Sequence, residues 1–286
     1  VKSKRYEEAE RVLSGALRLY CASYGKGAEE LIDPLMLRAQ ARAAHVGHSA
    51  RSRYKRFVDD ALEIVEDSRG KDSYLYASLL QEGGKIGLDD AGDRFALEYL
   101  ERSYSAFTGN LAEHELERFL AGFYLGKYFF SRKQYRQAEM YLAEALDLAD
   151  TSSDKDTQLE LAARAFLVEV YDHLGQREKS IAQCRAIGEA VPFNMDQEPQ
   201  PIFRRKPEYP RSALDTGREG YAVVEFTISD EGFAKDVQIL ETKGSIGFGR
   251  ATEDYLQNVR FAPRFVKGKA VDTPGRKMKV SFNIAR

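Results

Sequence analysis

Two hydrophobic periodicities divide this chain. Over residues 1–192 the apolar side chains recur at helical spacing. Ala138, Tyr141, Leu142, Ala145, Leu146 and Ala149, for example, fall at i, i+3, i+4, i+7 and onward, which predicts one buried helical face. At the other end the pattern has period two. Met278, Val280, Phe282 and Ile284 alternate with Lys277, Lys279, Ser281 and Asn283, which predicts a strand with one apolar and one wet face.

The helical part repeats itself. In residues 119–150, Leu125-Gly126, Phe129, Tyr135, Ala138, Leu142 and Ala145 read as helix, short turn, helix, with small residues where two helices approach. Residues 161–192 carry the same theme in Leu167, Tyr171, Gly175, Ser180, Ile181, Cys184, Ile187 and Pro192, with Gly175 suited to the turn and Pro192 to the stop. Gly84, Ala96 and Leu100 are spaced like Gly126, Ala138 and Leu142, so a degenerate copy is expected over 72–107. Helices are also expected over 35–45 and 54–66, and Tyr6, Ala9, Leu13 and Ala16 match the second helix of a copy whose first is missing.

This pattern resembles the tetratricopeptide repeat, a unit of about 34 residues. It departs from the family in an unfilled tryptophan position, in Ser180 where alanine is usual, and in a polar insertion over 151–156. The resemblance implies an all-helical right-handed solenoid whose concave groove takes a protein or peptide. Tyr74, Tyr76, Tyr99, Tyr104, Tyr124 and Tyr128 are candidates to line such a groove, but aromatics at helical spacing belong more often to the core.

Five of the eight prolines lie between Pro192 and Pro210, where fixed φ and missing donors exclude helix and central strand alike. The expected organisation is a helical repeat domain over 1–192, an extended linker over 193–201 and a second domain over 202–286. In the second domain a short helix starts after Tyr209-Pro210 and stops by Gly217. A strand follows from Tyr221 to Ile228, Asp230-Glu231-Gly232 turns the chain, and a return strand runs to Leu240. Phe248, Ala251, Thr252, Tyr255, Leu256 and Val259 predict a helix; Pro263 follows it and Gly268 marks a loop before the last strand. The expected fold is thus multidomain, an all-α solenoid followed by a small α+β layer in which two helices cover an antiparallel sheet.

The ordered set PEYPRSAL, GREGYAVVEFTISDEGFAKDVQIL, FGRATEDYL, RFAP and MKVSFNI resembles the C-terminal domain of the TonB energy-transducer family over about 80 residues. That resemblance implies a periplasmic location and a mechanical role. A short N-terminal segment of an outer-membrane TonB-dependent transporter, the TonB box, would add as a strand to an exposed sheet edge, while an inner-membrane proton-driven motor supplies work. It places the receiving strand at Lys277, Met278, Lys279, Val280, Ser281, Phe282, Asn283 and Ile284, and further partner contacts at Lys206, Pro207, Glu208 and Tyr209. Two structural alternatives compete: strand lysines also serve to block edge-to-edge aggregation, and Tyr209-Pro210 can be a helix start packed on the core. An assembly scaffold or adaptor without energy transduction is the alternative function.

Charge adds an asymmetry. Residues 1–201 balance to −7 and residues 202–286 to +5, which gives the net −2. The basic excess is small, and no recognition helix, zinc pattern or stacking motif accompanies it, so nucleic acid is not an expected partner. The chain begins at Val1 inside charged helical sequence, and a signal peptide or membrane anchor is expected upstream of it.

Cys21 and Cys184 do not constitute a disulfide framework. His45 and His48 lack the carboxylate or thiolate company of a metal site. His173 with Cys184 is the best nucleophile pair on offer, yet Cys184 occupies a packing position, where a thiol is inert. Neither a phosphate loop nor a serine elbow is present. No catalytic residue, metal or cofactor is expected.

Overall fold

The computed structural model describes residues 2–44, 54–88, 94–151, 157–203 and 205–284. They form two compact units, 1–155 and 156–286. The polar 152–156 stretch and the His45/His48 pair lie outside the described residues.

The first unit is helical: α1 (Lys2–Tyr24), a 3-10 turn (Glu29–Leu31), α2 (Ile32–Ala44), α3 (Tyr54–Arg69), α4 (Tyr74–Gly87), α5 (Arg94–Thr108), α6 (Glu115–Ser131) and α7 (Tyr135–Thr151). The glycines read from the sequence work as spacers. A Cβ on Gly84 would overlap the Leu100 side chain, and one on Gly126 would overlap Leu142. Each glycine lets α4 and α5, or α6 and α7, close until a leucine fills the gap. Three tyrosines then bond carboxylates about one repeat away. Tyr99 donates to Asp59 at 2.6 Å, Tyr104 to Glu144 at 2.6 Å and Tyr74 to Glu117 at 2.6 Å. Tyr76, Tyr99 and Tyr128 are buried, so most of this aromatic set is core and clip.

The second unit opens with one more helical hairpin, α8 (Thr157–His173) and α9 (Arg177–Ala190), turned by Gly175 at φ +70°. Here the spacing trick is inverted. Val168 stands where glycine stood, and Cys184 replaces the leucine four residues after Ser180, so larger-plus-smaller conserves the volume of smaller-plus-larger. Both side chains are fully buried in one cluster.

The hairpin packs on the C-terminal module instead of standing apart from it. The module comprises α10 (Arg211–Asp215), β1 (Gly220–Ile228), β2 (Ala234–Lys243), α11 (Gly247–Gln257), β3 (Arg264–Val266), β4 (Lys269–Val271) and β5 (Thr273–Phe282). Gly188 of α9 lies so close to Pro263 that a Cβ there would overlap the proline carbonyl oxygen. A Cβ on Gly232, in the β1–β2 turn, would overlap the Phe261 carbonyl oxygen as closely and lie 3.2 Å from the Cys184 Cβ. Arg260 bonds Asp172 at 3.0 Å, and Arg177 and Arg260 lie 4.3 and 4.1 Å from the centre of the Phe233 ring. The proline-rich stretch belongs to the same unit. Prolines deny it a ladder but not burial: Pro199 is buried, the Ile202 N–H donates to the Arg260 carbonyl at 2.8 Å, and Phe203 packs edge-on against Phe166.

The main sheet has the order β2-β1-β5, all antiparallel, so β5 is an edge. Ala222, Val224, Phe226 and Ile228 from β1 meet Met278, Val280 and Phe282 from β5 and Phe248 and Leu256 from α11 in one core. Two features differ from the sequence reading. Strand β2 runs three residues past Leu240, and β3–β4 form a small hairpin where only a loop was expected. Lys267 and Gly268 turn that hairpin with φ of +51° and +73°, the twist-matched geometry of a two-residue turn.

Candidate functional site

The alternation predicts a strand of eight residues from Lys277 to Ile284; β5 instead spans Thr273–Phe282, and the ladder stops at Phe282 because β1 begins opposite it, at Gly220. Asn283 and Ile284 lie beyond, and the Ile284 N–H donates to Glu219 at 2.8 Å. Met278, Val280 and Phe282 are 7%, 7% and 2% exposed, so their side chains belong to the core. What they leave at the surface is backbone.

Backbone polarity follows from one contact. The Lys279 N–H donates to Glu198 Oε1 at 2.7 Å, away from β1. In an antiparallel ladder successive residues turn their N–H and C=O groups to opposite sides. Lys277, Lys279 and Ser281 therefore present theirs outward, while Met278 and Val280 spend theirs on β1. Apart from the Glu198 contact, the outward donors have no partner among the described residues.

The lysine side chains do not shield this edge. Lys277 Nζ lies 3.4 Å from Glu225, and Lys279 Nζ sits 3.8 Å from the centre of the Tyr221 ring, whose hydroxyl in turn donates to Glu241 at 2.7 Å. Both ammonium groups are thus drawn onto the wet face of the sheet.

The other expected contact segment flanks the far end of β5. Tyr209 packs edge-on against Phe248 and Phe282, with ring centroids 5.7 and 5.6 Å away, and its hydroxyl donates to the Arg218 carbonyl at 2.6 Å. That ring anchors the segment to the core. Lys206 and Glu208 are exposed, and with Pro207 they line a cleft of about 770 Å³ beside Arg211, Arg250 and Asp254.

Burial governs the thiol candidate Cys184. Burial pushes the Cys184 thiol up to about 12, far from a thiolate at neutral pH. His173 Nε2 is 3.4 Å from Arg205 and 4.0 Å from Glu169. Glu169 is almost fully buried, and burial raises its pKa although Arg205 bonds it and pulls the other way. The helical unit has its own concavity, about 620 Å³, between α1, α2 and α3, with Leu17, Leu35 and Phe57 among its lining residues and Asp60 and Glu63 on its wall. Among the described residues no helix is long and apolar enough to cross a membrane, and no cluster of ligating side chains is placed to hold a metal ion.

Residues 205–284 match the family model described as Gram-negative bacterial TonB protein C-terminal. Protein TonB of Pseudomonas aeruginosa is 37% identical over 83 residues, which are 29% of this chain and 24% of that protein. The chain thus spans about a quarter of the length of the curated relative it matches. The crystal structure of the nearly identical TPR-like repeats of a Podosopora anserina kinesin light chain covers 65% of this chain and 87% of its own, at 13% identity and a TM-score of 0.53, a likeness of fold. The solution structure of the Pseudomonas aeruginosa TonB C-terminal domain is 34% identical, covers 32% of this chain and 92% of its own, and has a TM-score of 0.28. The molecule therefore joins TPR-like helical repeats to a TonB C-terminal domain.

Proposed function

We propose that this chain is a periplasmic, non-enzymatic TonB-family protein that grips outer-membrane TonB-dependent transporters by strand addition at β5. The observation that carries the reading is the outward backbone of Lys277, Lys279 and Ser281 on an edge strand whose side chains leave the edge uncovered. An incoming extended segment pairs with those groups, so affinity comes from main-chain hydrogen bonds and specificity from flanking side chains. Lys206, Pro207, Glu208 and Tyr209, with Asn283 and Ile284, supply flanking contacts at the Phe282 end. The helical repeats hold a second protein or peptide partner, and the concavity beside α3 is the surface offered for it. Work from an inner-membrane proton-driven motor would enter through whatever anchors this chain.

The test is an NMR titration of the full chain with synthetic peptides copying the N-terminal segments of outer-membrane transporters. Strand addition gives shifts concentrated at 277–281 and slowed exchange of the Lys277 and Ser281 amides. A folded protein that shows no shift there sinks the reading.

A further inference from the structure

The edge offered to a partner is already touched by the chain itself. Between α9 and the module, Phe193 packs against the module's core and lies 5.4 Å beneath the Arg276 guanidinium. Arg276 is buried at 5% exposure, and its two terminal nitrogens donate to the carbonyls of Met195 and Gln197. Asn194 accepts the Asp196 N–H at 2.9 Å and turns the segment. Directly after the Gln197 carbonyl that Arg276 holds, the exposed Glu198 reaches the β5 edge and takes the Lys279 N–H at 2.7 Å, and Pro199 is buried next in the chain. A carboxylate oxygen here does for Lys279 what the carbonyl of a paired strand would do.

We infer that residues 195–198 form an intramolecular strap that competes with the partner strand for the β5 edge. The inference rests on the strand-addition reading and adds a regulation to it. Arg276 is the anchor: it holds two backbone carbonyls of the strap, so its grip does not depend on the side chains found there. Glu198 is the latch. It is exposed, so its carboxylate returns to water at little cost when a partner carbonyl replaces it. Only one of three outward donors is latched. A partner that pairs first at Ser281, the end remote from the strap, meets the competition when pairing reaches Lys279. Such a device raises the threshold for weakly held partners without closing the edge, because the apparent affinity falls by the fraction of molecules in which the latch is open.

Glu198→Ala in the full chain removes the latch and leaves the Arg276 anchor intact, and Glu198→Gln keeps an acceptor oxygen while removing its charge. In the free protein, the Lys279 amide of Glu198→Ala should exchange as fast as those of Lys277 and Ser281. The transporter peptides of the titration should bind it roughly three- to tenfold more tightly, the scale of one exposed charge-assisted hydrogen bond, with Glu198→Gln in between. Binding of equal or lower strength in Glu198→Ala overturns the strap, as does an unchanged Lys279 exchange rate. Absence of binding to all three proteins overturns the strand-addition reading, and the strap as a competitor goes with it.

Discussion

Backbone polarity at single residues decides what a change in β5 does. Proline at position 279 deletes an N–H that points away from β1, whereas proline at 280 deletes one that bonds β1. Lys279→Pro should therefore keep its melting temperature within a few degrees and lose most transporter-peptide affinity. Val280→Pro should lose the fold of the module. Calorimetry beside the peptide titration separates the two, and normal binding by a folded Lys279→Pro protein would contradict pairing at that position. The alternation of Lys277 to Phe282 was legible in the sequence, yet which parity faced outward was not, since the same pattern fits either edge of a strand. The thiols offer a second residue-scale test. Cys184 is fully buried with its pKa raised to about 12, while Cys21 is half-buried. Iodoacetamide at pH 8.5 should label Cys21 and spare Cys184 until denaturant is added, as mass spectrometry of the digested protein will read. Labelling of Cys184 in the native protein would mean that α9 does not stay on the module.

Between elements, close approach outweighs helix propensity. Alanine is normally better than glycine inside a helix by about 1 kcal/mol. Gly15 of α1 has nothing within 4 Å of a built Cβ, so Gly15→Ala should raise stability by roughly that amount. Gly188 of α9 faces the Pro263 backbone, and Gly188→Ala should instead lower stability by about 1–3 kcal/mol, because a backbone cannot rotate aside. Urea unfolding of the two variants distinguishes these signs; a stabilised Gly188→Ala would show that the hairpin is not seated on Pro263. Spacing predicts the long helices of the described residues in outline, though not the 3-10 turn at Glu29–Leu31, and it places Leu100 relative to Gly84 as Leu142 stands to Gly126. It did not reveal the inverted pair Val168 and Cys184, because volume traded between two helices leaves each helix's own pattern intact.

For the whole molecule the division of labour falls between the two units. The C-terminal unit includes α8 and α9, which cover Phe233 and Pro263 and pair Arg260 with Asp172 at 14% exposure on each side. A protein starting at Asp156 should fold as a unit. One starting at Ile202 should melt several degrees lower, since ~1 kcal/mol shifts a domain of this size by roughly 4–8 °C. Equal melting temperatures for the two would make α8–α9 a passive neighbour.

The sequence by itself determined what local spacing can encode: the helical repeats, the β1–β2 hairpin, the amphipathic α11, the terminal strand and the ordered motifs of a TonB C-terminal domain. Each is a relation among residues a few positions apart, and the hydrophobic effect acts on that pattern before any tertiary contact forms. Only the tertiary structure decided which backbone groups of β5 face outward, that the proline-rich stretch packs into the second unit, and that Glu198 lies on the Lys279 amide from 81 residues away. The reason is physical. Proline and alternation dictate what a segment cannot do or which face it buries, but the partner of a single N–H depends on where a distant piece of chain comes to rest.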